Sequence, residues 1–260
     1  MRCRPVLILG LLAALPLAGC ASSGGKKKGA ENNRYIARDV NTLYNAAKDR
    51  LGQRRYKEAA ALFDEVERQH PYSAWARRAE LMSAFSYYLA HSYPESISSA
   101  QRFLSIHPGN RDAPYAQYLI AVDYYEQIAD VDRDQKISQQ ALDALGEVIR
   151  RYPDSSYAAD AKLKIDLVND HLAGKEMTVG RFYQRRHDWL ASTYRFRTVV
   201  EKYQTSSHVP EALERLVESY LQLGVLDEAR KTAAVLGANY PGSDYYERAY
   251  ELVTKRANKA

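Results

Sequence analysis

Cysteine is nearly absent from this sequence: its two examples, Cys3 and Cys20, both fall within the first twenty residues. Everything after Cys20 must therefore hold together without disulfides or thiolate metal sites. Glycine and proline are sparse, at 13 and 9, and phenylalanine occurs five times against 21 tyrosines. With many Ala and Leu alongside, that balance favours a helical repeat array. Long apolar runs are missing too. The longest, Val6 to Leu17, has about twelve residues where a membrane-spanning helix needs about 20. Catalytic signatures are absent: there is no HExxH, no nucleophile elbow and no phosphate-binding Gly loop, and the six histidines are scattered among helix ends and turns. An enzyme is not expected, and neither is a metal or other cofactor.

What is present begins with Leu17-Ala18-Gly19-Cys20. Arg2 and Arg4 form a basic start, the apolar run follows with Pro16 near its end, and small residues close it, which is the layout of a secretory signal segment. The four-residue order resembles the lipobox of bacterial lipoproteins. That resemblance implies cleavage before Cys20, with a covalent S-diacylglycerol group on its thiol and an N-acyl chain on the new amino terminus. Residues 1–19 are then a signal peptide. Loss of Arg2 and Arg4 lowers the formal charge from +5 to +3, too mild for nucleic-acid binding. Ala21 and Ser22 follow the cysteine with no Asp to resemble an inner-membrane retention signal, so the expected location is the outer membrane, lipid-anchored and facing the periplasm.

Residues 20–34 read as a lipidated flexible tether. Ala21 to Arg34 is small, charged and polar without apolar periodicity. It reaches at most roughly 50 Å, and Lys26, Lys27 and Lys28 are placed to meet anionic lipid near the anchor.

From Val40 onward one pattern returns. Tyr56, Ala59, Phe63 and Val66 are spaced three, four and three, giving a single buried stripe that Pro71 ends. Leu43, Ala46, Ala47 and Leu51 form the stripe of the preceding helix, across a polar turn at Gly52 to Arg55. Tyr93, Ser96, Ala100, Phe103 and Pro108 repeat the second helix at a shift of 37 residues. Ala141, Leu145, Val148 and Pro153 mark a third copy. Trp189, Ser192, Phe196 and Val199 mark a fourth, with Gln204 in place of proline, and Leu226, Ala229, Ala233, Leu236 and Pro241 a fifth. These offsets are those of the tetratricopeptide repeat, so the fold expected is an all-α solenoid of about five helix-turn-helix repeats. The expected organisation is repeats 1–3 over 35–153, an extra helix with repeats 4 and 5 over 154–252, and a polar tail over 253–260. The extra helix, Tyr157 to Ala173, is expected to run into, or bend at, Gly174. Asp130, Asp132 and Asp134 lie in an inserted loop but lack the Gly and closing Glu of a calcium loop.

In this repeat family, first-helix offsets 2, 5, 9, 12 and 13 face the binding groove. In the first three copies they include Tyr44, Lys48, Phe85, Tyr88, Tyr115, Tyr118 and Tyr125, a wall suited to an extended or partly helical peptide with its own aromatic residues. His70 and His107, each ahead of a repeat proline, are expected to cap their helices.

The lipobox, the five repeats, His70-Pro71-Tyr72-Ser73 with Trp75-Ala76, Asp132-Arg133-Asp134-Gln135, Arg151-Tyr152-Pro153-Asp154-Ser155, and Trp189 with Arg195 together resemble the BamD lipoproteins of the outer-membrane β-barrel assembly machinery. The likeness runs from Cys20 to about Leu252. It implies a scaffold whose C-terminal repeats bind the periplasmic domains of the barrel subunit, BamA, through a surface including Arg195 and Trp189. It also implies N-terminal repeats that engage unfolded outer-membrane proteins through a C-terminal aromatic signal, alongside other assembly lipoproteins. The residues alone also admit another lipoprotein of the same repeat class, such as a secretin pilotin or a cell-wall coordination factor.

Overall fold

The computed structural model describes residues 38–128 and 135–258, which form one compact unit. The expected lipidation site Cys20, the tether and the Asp130-Asp132-Asp134 loop lie outside the described residues. Eleven helices follow in order, with no strand among the described residues: α1 (Val40–Gly52), α2 (Tyr56–Gln69), α3 (Ala74–Leu89), α4 (Tyr93–Ile106), α5 (Ala113–Glu126), α6 (Lys136–Arg151), α7 (Ser156–Arg185), α8 (Trp189–Lys202), α9 (Val209–Gln222), α10 (Leu226–Asn239) and α11 (Asp244–Ala257). Each helix packs on the next, and short turns make neighbours antiparallel. Within each half of the stack, turns within a repeat therefore lie along one edge and turns between repeats along the other, the corner at 205–208 meeting α7 at its middle, near Asp166, Asp170 and Gly174. This is the tetratricopeptide-repeat solenoid that the sequence period predicts.

The stripes are the core. Ala59, Phe63 and Val66 of α2, Ala100 and Phe103 of α4, Leu145 and Val148 of α6, Phe196 and Val199 of α8, and Leu236 of α10 are all buried. Burial of each phenylalanine contributes about 1.5–3 kcal/mol. The corners between repeats share one backbone form: His70, His107, Tyr152, Tyr203 and Tyr240 end their helices with φ from −121° to −135° and ψ from 50° to 57°. The corner at Tyr203-Gln204 keeps that form without proline. Ser73, Ser155 and Ser243 start the following helices, each side chain accepting the N–H three residues on, which satisfies one exposed helix donor. Within repeats, Arg54, His91, His187 and Gly224 each turn the chain with positive φ, between 54° and 79°.

Three expectations are refined. Gly174 does not bend the chain: α7 runs unbroken for 30 residues, because Gly174 lies buried with the His208 ring against it and sits in contact rather than in a turn. The division between 153 and 154 is not a break, since α7 shares a core with α5 and α6 through Ala161, Val168 and Leu172 and with α8 and α9 through Ala173 and Met177. The polar tail from Val253 is the end of α11, which packs on α9 and α10 with Ala249 buried and Arg248 forked onto Glu214 at 2.7 and 3.1 Å. His70 and His107 hold the C-cap positions of α2 and α4 as expected, their N–H groups donating to the Val66 and Phe103 carbonyls, and their rings add crosslinks: His70 Nε2 lies 2.7 Å from the Arg38 carbonyl, and His107 Nε2 lies 3.5 Å from Glu80.

Candidate functional site

The N-terminal wall is built by first helices, whose residues three and four apart stack on one face. On α3, Phe85 and Tyr88 stack with ring centroids 6.5 Å apart, and Tyr88 reaches Tyr93 of α4 at 6.5 Å. On α5, Tyr115 and Tyr118 lie 5.7 and 5.0 Å from Tyr157 of α7. The Tyr118 hydroxyl donates to Asp160, and that bond holds the Asp160 carboxyl below the usual carboxylate range. Lys164 Nζ sits 4.9 Å over the Tyr125 ring and 3.3 Å from Asp160. Beside it, Tyr125, Glu126, Ile128, Leu167, Val168 and His171 line a cavity of about 300 Å³.

The structure thus brings Phe85 and Tyr88 into one cluster and Tyr115, Tyr118 and Tyr125 into another, with Lys48 exposed on α1. Tyr44 is a correction. It is 9% exposed, with its ring 5.4 Å from Phe63 and 4.6 Å from Trp75, so it belongs to the core joining the first two repeats. Its hydroxyl pKa is raised by burial, an effect the Arg78 charge partly offsets.

Two contributors escape the periodicity. Tyr157, at the start of α7, completes the second cluster although it belongs to the next repeat. Asp123 of α5 is fully buried, and both its carboxylate oxygens lack a hydrogen-bond partner. The Ser96 hydroxyl is committed to the Ala84 carbonyl at 2.9 Å. Burial pushes the Asp123 carboxyl up to about 7, with only a partial offset from Ser96. A lone acidic residue in an otherwise apolar stretch, Leu119 to Val122, is the signal that marks it.

In the C-terminal half, Arg195 and Trp189 do not form one patch. Six positions apart on α8, they differ by about 240° around the axis. Arg195 Nη1 donates to Glu176 of α7 at 3.2 Å with its side chain 43% exposed. Trp189 lies 5.3 Å from the His187 ring and lines a cleft of about 330 Å³ with Arg181, Gln184, Arg185, Arg215 and Glu218. Next to Arg195 in sequence, Tyr194 is exposed, as is Leu190 one turn earlier. The sequence carries that pair as an i, i+4 apolar step on the face of α8 opposite its buried stripe.

A sequence profile of the family described as Outer membrane lipoprotein (YfiO) matches residues 36–236. An outer membrane protein assembly factor BamD of Caulobacter vibrioides is 50% identical over 248 residues, covering 95% of this chain and 80% of that one. The protein of the same name from Rickettsia prowazekii is 45% identical over 248 residues, covering 95% and 98%. The chain belongs to the BamD family. Among solved structures, a thermophilic TPR protein of Thermus thermophilus aligns over 83% of this chain and 99% of its own at 17% identity, with a TM-score of 0.37.

Proposed function

We propose that the protein is a non-enzymatic scaffold of outer membrane protein assembly, held at the outer membrane by lipid on Cys20 and facing the periplasm. A part in outer membrane protein assembly follows from its family. The finer assignment gives the C-terminal repeats, through Arg195 and the neighbouring Tyr194, to the periplasmic domains of the barrel subunit. It gives the N-terminal wall to the aromatic C-terminal signal of an unfolded outer-membrane protein, with other assembly lipoproteins as further partners. The observation that carries the second half is the pair of aromatic clusters. Half-buried tyrosines from separate helices offer large contact area at low entropy cost, with hydroxyls for an extended backbone.

One capture experiment tests both halves. Affinity capture from solubilised membranes is expected to recover the barrel subunit with the wild-type chain and with the Tyr88→Ala/Tyr125→Ala variant alike. A crosslinkable peptide ending in an aromatic residue is expected to label the wild type about tenfold more than that variant, as loss of hot-spot aromatics does. Failure to recover the barrel subunit overturns the scaffold assignment. Equal labelling, with helical circular dichroism unchanged, overturns the groove.

A further inference from the structure

The cavity of about 750 Å³ lies away from both surfaces, on the edge where successive repeats meet. It is lined by Trp75, Arg77 and Arg78 from the start of α3 and by Gly109 to Asp112 from the turn before α5. Arg77 and Arg78 are exposed and make no ion pair with a carboxylate among the described residues, while Arg111 meets only Asp112, at 3.6 Å. Three guanidinium groups thus face one opening with one acid among them. Their field is felt inside: His107, held down mainly by burial, is lowered further by the Arg77 charge.

Apolar side chains flank these cations on the same edge. Tyr72, in the turn before α3, is 101% exposed, and Ile106, at the end of α4, is 55% exposed. Trp75 sits in the cleft with the Arg78 guanidinium 5.9 Å from its ring. Protruding tyrosine and aliphatic groups set among arginines, beside a half-buried tryptophan, match a membrane–water interface, where amphipathic rings sit at headgroup level and cations meet phosphate.

The path of the chain points the same way. Arg38 is pinned to this edge, its N–H donating to Gln69 Oε1 at 2.8 Å and its carbonyl held by His70. Both partners immediately precede Pro71 and Tyr72. Only residues 21–37 separate that point from Cys20, and they carry three lysines and a single acid, Glu31. That segment cannot neutralise the arginines.

We propose that this edge of the first two repeats is a contact surface for an anionic lipid leaflet. Arg77, Arg78 and Arg111 bind headgroup phosphates while Tyr72 and Ile106 enter the interface and the half-buried Trp75 ring lies at its margin. The inference deepens the anchored-scaffold reading, but it is measured without the acyl chain and without partners. Its failure is therefore distinct from failure to capture the barrel subunit.

The test uses the chain from residue 20 with Cys20→Ser, to remove acylation, and with Lys26, Lys27 and Lys28 each changed to Gln, to silence the tether. Flotation with vesicles of phosphatidylglycerol and phosphatidylcholine in equal parts is expected to carry the protein, with a blue shift of Trp75 fluorescence in a Trp189→Phe version. Vesicles of phosphatidylcholine alone are expected not to. Arg77→Gln/Arg78→Gln/Arg111→Gln is expected to weaken the partition by at least about tenfold. Arg54→Gln/Arg186→Gln/Arg230→Gln, an equal charge loss at the opposite edge, is expected to leave it unchanged. Equal weakening by both variants overturns the proposal, as does equal binding to neutral vesicles. Displacement by glycerol phosphate at matched phosphate concentration assigns the cleft to a free anion. Equally tight capture of a polyglutamate peptide assigns it to an acidic polypeptide. Either result overturns the lipid surface.

Discussion

At the scale of single residues, two buried carboxyls stand out. Glu80 is 2% exposed, and burial, with the Glu67 charge beside it, raises its carboxyl to about 7 despite Arg102 Nε at 3.6 Å. Asp123 is raised as far by burial with less compensation. A carboxyl that keeps its proton to about pH 7 when folded, and releases it near pH 4 when unfolded, stabilises the fold fully below about pH 4. That contribution is lost as pH rises through about 7, because the native state must then hold a buried charge. Asp123→Asn keeps the shape without the charge. It is expected to stabilise the protein by about 2 kcal/mol at pH 8, the gain vanishing below about pH 4, as read by urea unfolding at both values. A gain independent of pH would mean that Asp123 does not titrate in this window. The groove residues show what sequence offsets convey at this scale. Phe85, Tyr88, Tyr115, Tyr118 and Tyr125 form clusters, but Tyr44 does not join them, because Trp75 of the next repeat closes over it. An offset gives a side chain's direction from its own helix, not what the next helix places in front of it.

At the scale of elements, helix pairs were legible because two independent signals coincide: apolar residues three and four apart, and a proline a few positions after the last buried one. Where one signal misled, close packing was the cause. Gly174 looks like a break, yet it and Gly180 are both points of contact inside α7. A Cβ built on Gly180 would lie 2.5 Å from the fully buried Phe196 ring, whereas one on Gly146 of α6 meets nothing within 4 Å. The two positions should respond oppositely to alanine. Gly146→Ala is expected to stabilise by about 0.5–1 kcal/mol through helix propensity alone. Gly180→Ala is expected to destabilise by about 1–3 kcal/mol, overpacking outweighing that gain. Denaturant midpoints of the two variants decide it, and a stabilising Gly180→Ala would show that the Phe196 ring yields freely.

At the scale of the whole molecule, repeats bury one another and the last needs a cover. That cover is α11, which the stripe pattern missed because only Ala249 on it is fully buried and its end, from Val253, is polar enough to read as a tail. Gly237 of α10 shows how closely it sits, with the Tyr246 ring 2.5 Å from where a Cβ would stand. Deleting residues 244–260 is expected to lower Tm by at least about 5 °C, since roughly 2–4 °C accompanies each kcal/mol in a chain of this size. A calorimetric trace matching the full chain would remove α11 from the cooperative unit. The helix pairs and the repeat period were open to sequence reasoning, because they depend on local spacing. The covering role of α11 and the continuity of α7 were not, because they depend on what a helix meets at a distance.

The unbroken α7 has a mechanical meaning. At about 1.5 Å per residue it is a rod of roughly 45 Å, with one end fixed in the packing of α5 and α6 and the other in that of α8 and α9. A rod clamped at both ends does not hinge. Whatever seizes the molecule near Arg195 also carries the tyrosines of α5 with it, so a load taken up at one end is towed, not slackened, when the other end is pulled.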